Sequence, residues 1–288
     1  MKEFLKPAWA VGWRLTVFLT VWAIFLGPLC VPIVRWLERH HLSDSILARL
    51  YLESCAAVTI FAAASIMLRF VDRRSLSTFG LSGRRSPHFF WSGFVLGAGI
   101  MSVAVACLWV LGTARLQAAP HFSATVLAMT GIAVFLNVLT QEILVQGYML
   151  QTIEAHGTSV LAVLMASGLF ALLHAQAING AWLPAVNLYL AGVLLAIAYV
   201  LSRSLWLSIG VHFGWNFTQG SLLGLSVTGH NLGGEWRPVH LEGPAILTGG
   251  TLGLEGGVIA TLVTLLGIAI LLARHATKHR GESGAVEQ

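Results

Sequence analysis

Long uninterrupted apolar runs dictate what this chain can become. Eight of them stand along the 288 residues, at approximately 10–34, 47–70, 89–113, 122–150, 158–176, 184–201, 204–225 and 256–273. A helix needs about 20 apolar residues to cross a bilayer. Backbone in lipid must satisfy its own hydrogen bonds, which leaves helices or closed barrels. A barrel would show alternating segments of about ten residues, so an all-α polytopic membrane protein of about eight transmembrane helices is expected. Only 10% of the residues are charged against 56% hydrophobic. That is too little polar surface for a soluble globule, and the apolar content is too high for a disordered tail. Cys30, Cys55 and Cys107 all lie inside apolar runs without paired spacing, so they read as inert buried thiols and not as a disulfide scaffold.

The net charge of +5 comes from residues between the runs. No basic face interleaved with aromatics is visible, so membrane topology explains the charge and nucleic acid does not. The connection after the second run holds Arg69, Arg73, Arg74, Arg84 and Arg85. Placing it in the cytoplasm gives eleven Lys and Arg inside against five outside, with both termini cytoplasmic. The first run follows Lys2 and Lys6 but is too long for a signal-peptide core, and is expected to remain as an anchor. One structural unit is expected. Residues 1–120 supply N-terminal helices and the basic loop, 121–273 a core carrying the chemistry, and 274–288 a basic, then polar tail.

That chemistry sits where charge is scarcest. Residues 116–202 contain no Lys or Arg, yet hold Glu142 and His174. An ionisable group in a span is costly unless it is paired or faces a polar cavity, and is a functional candidate by default. Three helices each offer polar groups at a spacing of four, which puts both members on one face: Glu142 with Gln146, Phe170 with His174, and His212 with Asn216. Glu142 and His174 are equidistant from residue 158, so a hairpin turning near Gly157 would place both roughly 24 Å from the turn. His212 lies only about 12 Å into its own helix. The mismatch requires either a hairpin protruding from the membrane or a break near Gly147. Such a set suits activation of water by carboxylate and imidazole, with His and Asn donors for an oxyanion. Glu and two His could instead hold zinc, but HExxH is absent and three separate helices would have to supply the ligands, so metal is the weaker option.

The order EExxxR, FxxxH, HxxxN resembles the CPBP family, also called CAAX protease or Abi proteins, which are intramembrane endopeptidases. The contexts Gly147-Tyr148, Asn187 to Gly192, Leu205 to Gly210 and Gly249 to Gly257 look like bacterial members, and the similarity spans roughly residues 120–260. The resemblance implies an eight-helix bundle and a glutamate-dependent mechanism with no required metal, despite the older metalloprotease label. The substrate would be a membrane-associated peptide or protein. His174, His212 and Asn216 fit the family pattern, whereas its first Glu corresponds to Gln141 and its Arg to Gln146. An amide is no general base. Glu142 is then the surviving carboxylate, His174 a base or water-orienting group, and His212 with Asn216 the oxyanion donors. The alternative is a pseudoprotease that binds a membrane partner without cutting it. A transporter fits less well, because no inverted repeat is visible.

Blander readings cover the rest. Glu142 alone could simply hydrogen bond Gln146 or backbone. Glu53 reads as a packing or interfacial residue, and His40, His41, His230 and His240 as loop residues without ligand spacing. Trp182, Trp206 and Trp236 fit interfacial belts. The glycines of 249–257 have no preceding strand or following Lys-Ser/Thr, so they serve a turn and not a phosphate.

Overall fold

A computed structural model describes residues 2–42, 45–118, 122–231 and 236–284. The side chains of Lys2, Lys6, Lys278 and Arg280, counted above for topology, lie outside the described residues. The fold is a helical bundle with one short β-ribbon. Its long helices are α1 (Lys2–Arg39), α2 (Ile46–Ile66), α3 (Ser86–Val110), α4 (Ala124–Glu142), α8 (Trp182–Ser202) and α11 (Val258–Gly284). Shorter ones are α5 (Leu150–His156), α6 (Ser159–Leu173), α7 (Ala175–Ile178), α9 (Leu205–Asn216) and α10 (Ala245–Thr248). Strands β1 (Ala114–Leu116) and β2 (Val239–Leu241) pair antiparallel, with Arg115 opposite His240.

Six stretches among the described residues are long and apolar enough to cross a membrane: Pro7–Arg39, Ile46–Val71, Ser86–Val110, Ala124–His156, Trp182–Ser202 and Val258–Thr277. Large apolar side chains such as Phe70, Val95, Val110 and Leu172 stand exposed on the outside of the bundle, as a lipid-facing surface requires. The chain is an integral membrane protein. Two of the eight expected runs, 158–176 and 204–225, are not among these six. Run 158–176 yields only α6, because the helix ends at His174 and the chain then turns through left-handed backbone at Asn179 and Gly180. Run 204–225 divides into α9 and a π-helical turn, Phe217–Leu222. The final helix continues past the expected limit of 273, to Gly284.

Helix starts follow local chemistry. Ser45, Ser123, Thr158 and Ser204 each accept a hydrogen bond from a first-turn backbone N–H, opening α2, α4, α6 and α9. Within the bundle the closest crossing is α3 against α9. Gly93 and Gly97 on one helix face Gly210 and Gly214 on the other. A Cβ at any of the four would run into the partner's backbone: Leu207 and Val211 for the first pair, Phe90 and Phe94 for the second. Small residues four apart on both helices are what allows membrane helices to approach this closely. The contact pins α9 between its own glycines, and His212 sits there.

The two ends of the bundle are distinct. At one end Trp206 Nε1 donates to the Leu81 carbonyl, Arg74 to Gln151, and Arg203 to Glu154 at 2.6 Å. At the other end are the β-ribbon and the hydrogen bond from Tyr51 to Leu29. Arg14, inside the first span, is neutralised by Asp72 at 3.0 Å. Trp206 and Trp236 each donate to a backbone carbonyl, from Leu81 and Leu222, so they are anchors as well as belt residues.

Candidate active site

The motif residues are positioned by helices that change winding where the polar groups fall. After Glu142 the fourth helix continues as a π-helix, Ile143–Met149, before α5. After Asn216, α9 does the same. Such turns often mark functional sites. The first one falls at the break near Gly147 anticipated from sequence. Glu154 near the end of α5 pairs with Arg203 at the turn before α9, so the hairpin tip stays near the start of α9 and does not protrude. The widened winding around Gly147 takes up part of the difference. Gly147 is needed there, because a Cβ would strike the buried Phe79 ring. The π turn also breaks the spacing of four, and the expected Glu142–Gln146 hydrogen bond does not form. The Gln146 amide, fully buried, has no hydrogen-bond partner among the described residues.

Glu142 turns to α9 instead. Its Oε1 lies 2.9 Å from His212 Nδ1, with the carboxylate fully buried and the imidazole nearly so. A carboxylate only accepts, so His212 Nδ1 carries the proton. At the end of α6, His174 Nδ1 lies 2.8 Å from the Phe170 carbonyl oxygen and must likewise be the donor. Each ring therefore keeps Nε2 for other chemistry. The Phe170 ring packs against both imidazoles, with centroids at 4.8 and 5.6 Å.

One cavity of about 430 Å³ brings these groups together. Gln141, His174, His212 and Asn216 all line it. Glu142 does not; it stands behind His212 and reaches the cavity only through the imidazole. Gln146 is likewise absent from the lining.

Several polar residues outside the motifs share this cavity. Glu53, expected as a packing or interfacial residue, lines it, and its carboxylate accepts from Asn137 Nδ2 at 3.1 and 3.2 Å. Asn137 Oδ1 in turn accepts from Gln141 Nε2 at 2.8 Å. Asn137 precedes Gln141 by four on α4, a spacing visible in the sequence. Glu255, in the glycine-rich stretch, also lines the cavity and accepts from Gln219 Nε2 at 2.7 Å. Left-handed backbone at Gly249, Gly250 and Gly253 folds that stretch so that its acid points inward. Burial pushes the Glu255 carboxyl up to about 7, against hydrogen bonds from Gln219 and from backbone N–H groups that lower it. Asn187 fastens the stretch by donating to the carbonyls of Glu255 and Gly257. His230, read as a loop residue, reaches the cavity rim with Thr228. Among the described residues, no group of three His, Cys, Asp or Glu is arranged to hold a metal ion.

Residues 123–218 match the model of the family described as Type II CAAX prenyl endopeptidase Rce1-like. The match covers a third of the chain and shows what that segment is similar to. No curated protein and no solved structure matches the chain. The matched segment contains Gln141, His174, His212 and Asn216, which line the cavity, and Glu142 behind them.

Proposed function

We propose that the protein is an intramembrane endopeptidase that hydrolyses a peptide bond of a membrane-associated substrate, with no resident metal required. The observation that carries this reading is the His212–Glu142 pair backing a cavity that His174 and Asn216 also line. His174 Nε2 takes a proton from water as the water oxygen attacks the scissile carbonyl carbon. The oxyanion that forms is held by His212 Nε2–H and the Asn216 side-chain N–H. The C–N bond then breaks, and the leaving amine takes the proton back from His174. For His212 to donate through Nε2 while Nδ1 also carries a proton, it must be an imidazolium. Glu142 behind it stabilises that charge. Glu142 is thus a positioning residue and not the group that touches water.

The cavity lies at the β-ribbon end, since Arg49 and Glu53 near the start of α2, Val227, Thr228 and His230, and Glu255 line it. With the basic 72–85 connection in the cytoplasm, the substrate enters from the opposite side of the membrane.

The test is cleavage by protein purified into nanodiscs, offered a library of membrane-anchored peptides that includes prenylated CAAX sequences. Cleavage should occur and should be lost in His174→Ala and His212→Ala. Full activity in both variants would sink the assignment. A second reading rests on Gln141 and Gln146, which replace a Glu and an Arg of the family pattern: a pseudoprotease that holds a membrane partner. Cleavage that arises only in the double variant Gln141→Glu, Gln146→Arg would favour it.

A further inference from the structure

Position 141 offers the cavity an amide, and an amide has two unlike ends. One end accepts hydrogen bonds and the other donates them. Which end faces the cavity is decided by groups that have no choice. An ionised carboxylate can only accept, and both oxygens of Glu53 approach the Asn137 NH2 group, as a carboxylate's would. With its NH2 committed to Glu53, Asn137 has only Oδ1 to turn toward Gln141, and Gln141 must answer with its own NH2. The Gln141 carbonyl oxygen is what remains. It is buried and has no hydrogen-bond partner among the described residues, on a side chain that lines the cavity with His174.

We propose that Glu53 is a positioning residue of the active site: through Asn137 it locks Gln141 with its carbonyl oxygen presented to the attacking water. This rests on the endopeptidase reading. The water donates one O–H to Gln141 Oε1 and its other proton to His174 Nε2, which aims an oxygen lone pair at the scissile carbonyl. An acceptor is thereby kept at position 141 although that side chain is itself uncharged, and the negative charge that fixes it stands two side chains away on α2. Gln141 contributes no basicity. The proton still goes to imidazole.

The relay can be turned over. Glu53→Lys replaces an obligate acceptor by an obligate donor, which would draw Asn137 Oδ1 toward α2 and present the Gln141 NH2 to the cavity. Glu53→Gln can serve either orientation. Full-length protein in nanodiscs is assayed with a peptide found in the library screen. The expected result is a fall in kcat of about two-fold for Glu53→Gln, which leaves the two orientations equally favoured, and of ten-fold or more for Glu53→Lys, with KM unchanged. Gln141→Glu, whose two oxygens both accept, should abolish the Glu53→Lys defect. The orientation itself is read from the Gln141 side-chain NH2 resonances, assigned by their loss in Gln141→Glu. They should exchange slowly with deuterated solvent in the wild type and rapidly in Glu53→Lys. Equal loss of kcat in both backgrounds, or unchanged amide exchange, would overturn the proposal. If the wild type cleaves nothing, the endopeptidase reading fails on that result, and the exchange measurement alone decides whether Glu53 orients Gln141.

Discussion

Glu142→Gln separates the catalytic from the structural value of the buried pair. In the folded protein Glu142 touches His212 at 2.9 Å and does not line the cavity, so any effect on rate must pass through the imidazole. Gln is nearly isosteric, and its Oε1 can still accept from Nδ1–H. What it cannot do is stabilise the imidazolium that lets Nε2 donate to the oxyanion. A hydrogen bond to a charged group contributes roughly 1.5–3 kcal/mol, and each 1.36 kcal/mol of barrier is ten-fold in rate. Glu142→Gln should therefore lower kcat by about 10- to 150-fold with little change in KM. Stability should move differently. Replacing a buried charged pair by a neutral one is often neutral or stabilising, so the thermal midpoint should hold or rise. Glu142→Ala leaves Nδ1–H buried and unpaired, at a cost of roughly 1–3 kcal/mol, and should lower both. Steady-state kinetics and thermal unfolding of the same nanodisc samples make the comparison. If Glu142→Gln keeps kcat within two-fold, or destabilises the protein as much as Glu142→Ala, then Glu142 is a strut and the oxyanion role of His212 is refuted.

Three further outcomes are expected. Gly97→Val should be severely destabilising, by roughly 3 kcal/mol or more, since its side chain meets the Val211 backbone; Gly99→Val, facing open space on the same helix, should not be, and thermal unfolding compares them. Folding raises the Glu255 carboxyl from 4.5 to about 7. The stability linked to its neutral form is thus fully present below pH 4.5 and is lost as pH rises through about 7, amounting to about 3 kcal/mol. Glu255→Gln should flatten that loss and be the more stable protein at pH 8. Arg14→Leu strands Asp72, a largely buried partner, and should cost about 2 kcal/mol, most of which Arg14→Leu with Asp72→Leu recovers, as a double-mutant cycle would measure.

How much of this was legible in the sequence depends on the range of the interaction. The bundle follows from apolar run length, a local property, and the capping residues mark the true starts of α2, α4, α6 and α9. The convergence of His174, His212 and Asn216 on one cavity was readable because spacing of four fixes a helix face. It failed for Glu142 and Gln146, where the helix widens to a π turn and residues four apart no longer align. Nothing local announced that turn except Gly147, whose missing side chain makes room for Phe79. The reciprocal glycines of α3 and α9 were present in the sequence but belong to two runs 80 residues and more apart, so only packing shows that they face each other. Glu53 and Glu255 were missed for the same reason. Each is a lone acid in its own segment, and its meaning comes from Asn137 or Gln219 across the bundle.

Gln141 and Gln146 can then be understood together. Two amides at these positions leave the low-dielectric interior with no stranded charge, whereas a carboxylate or a guanidinium at one of them alone would be a buried ion without its partner. The cavity nevertheless holds acids. Glu53 and Glu255 enter from α2 and from the stretch before α11, elements outside the segment that carries the family signature. Each is held by an amide that can only donate to it: Asn137 Nδ2 for one, Gln219 Nε2 for the other. The amides at 137 and 141, which line the cavity, are thereby oriented by an acid on another helix, and an oriented amide presents a fixed dipole to the cavity without itself carrying the desolvation cost of an ion. A site of this design retains directional polarity while the motif helix itself keeps only Glu142, paired at His212 and withdrawn from the cavity.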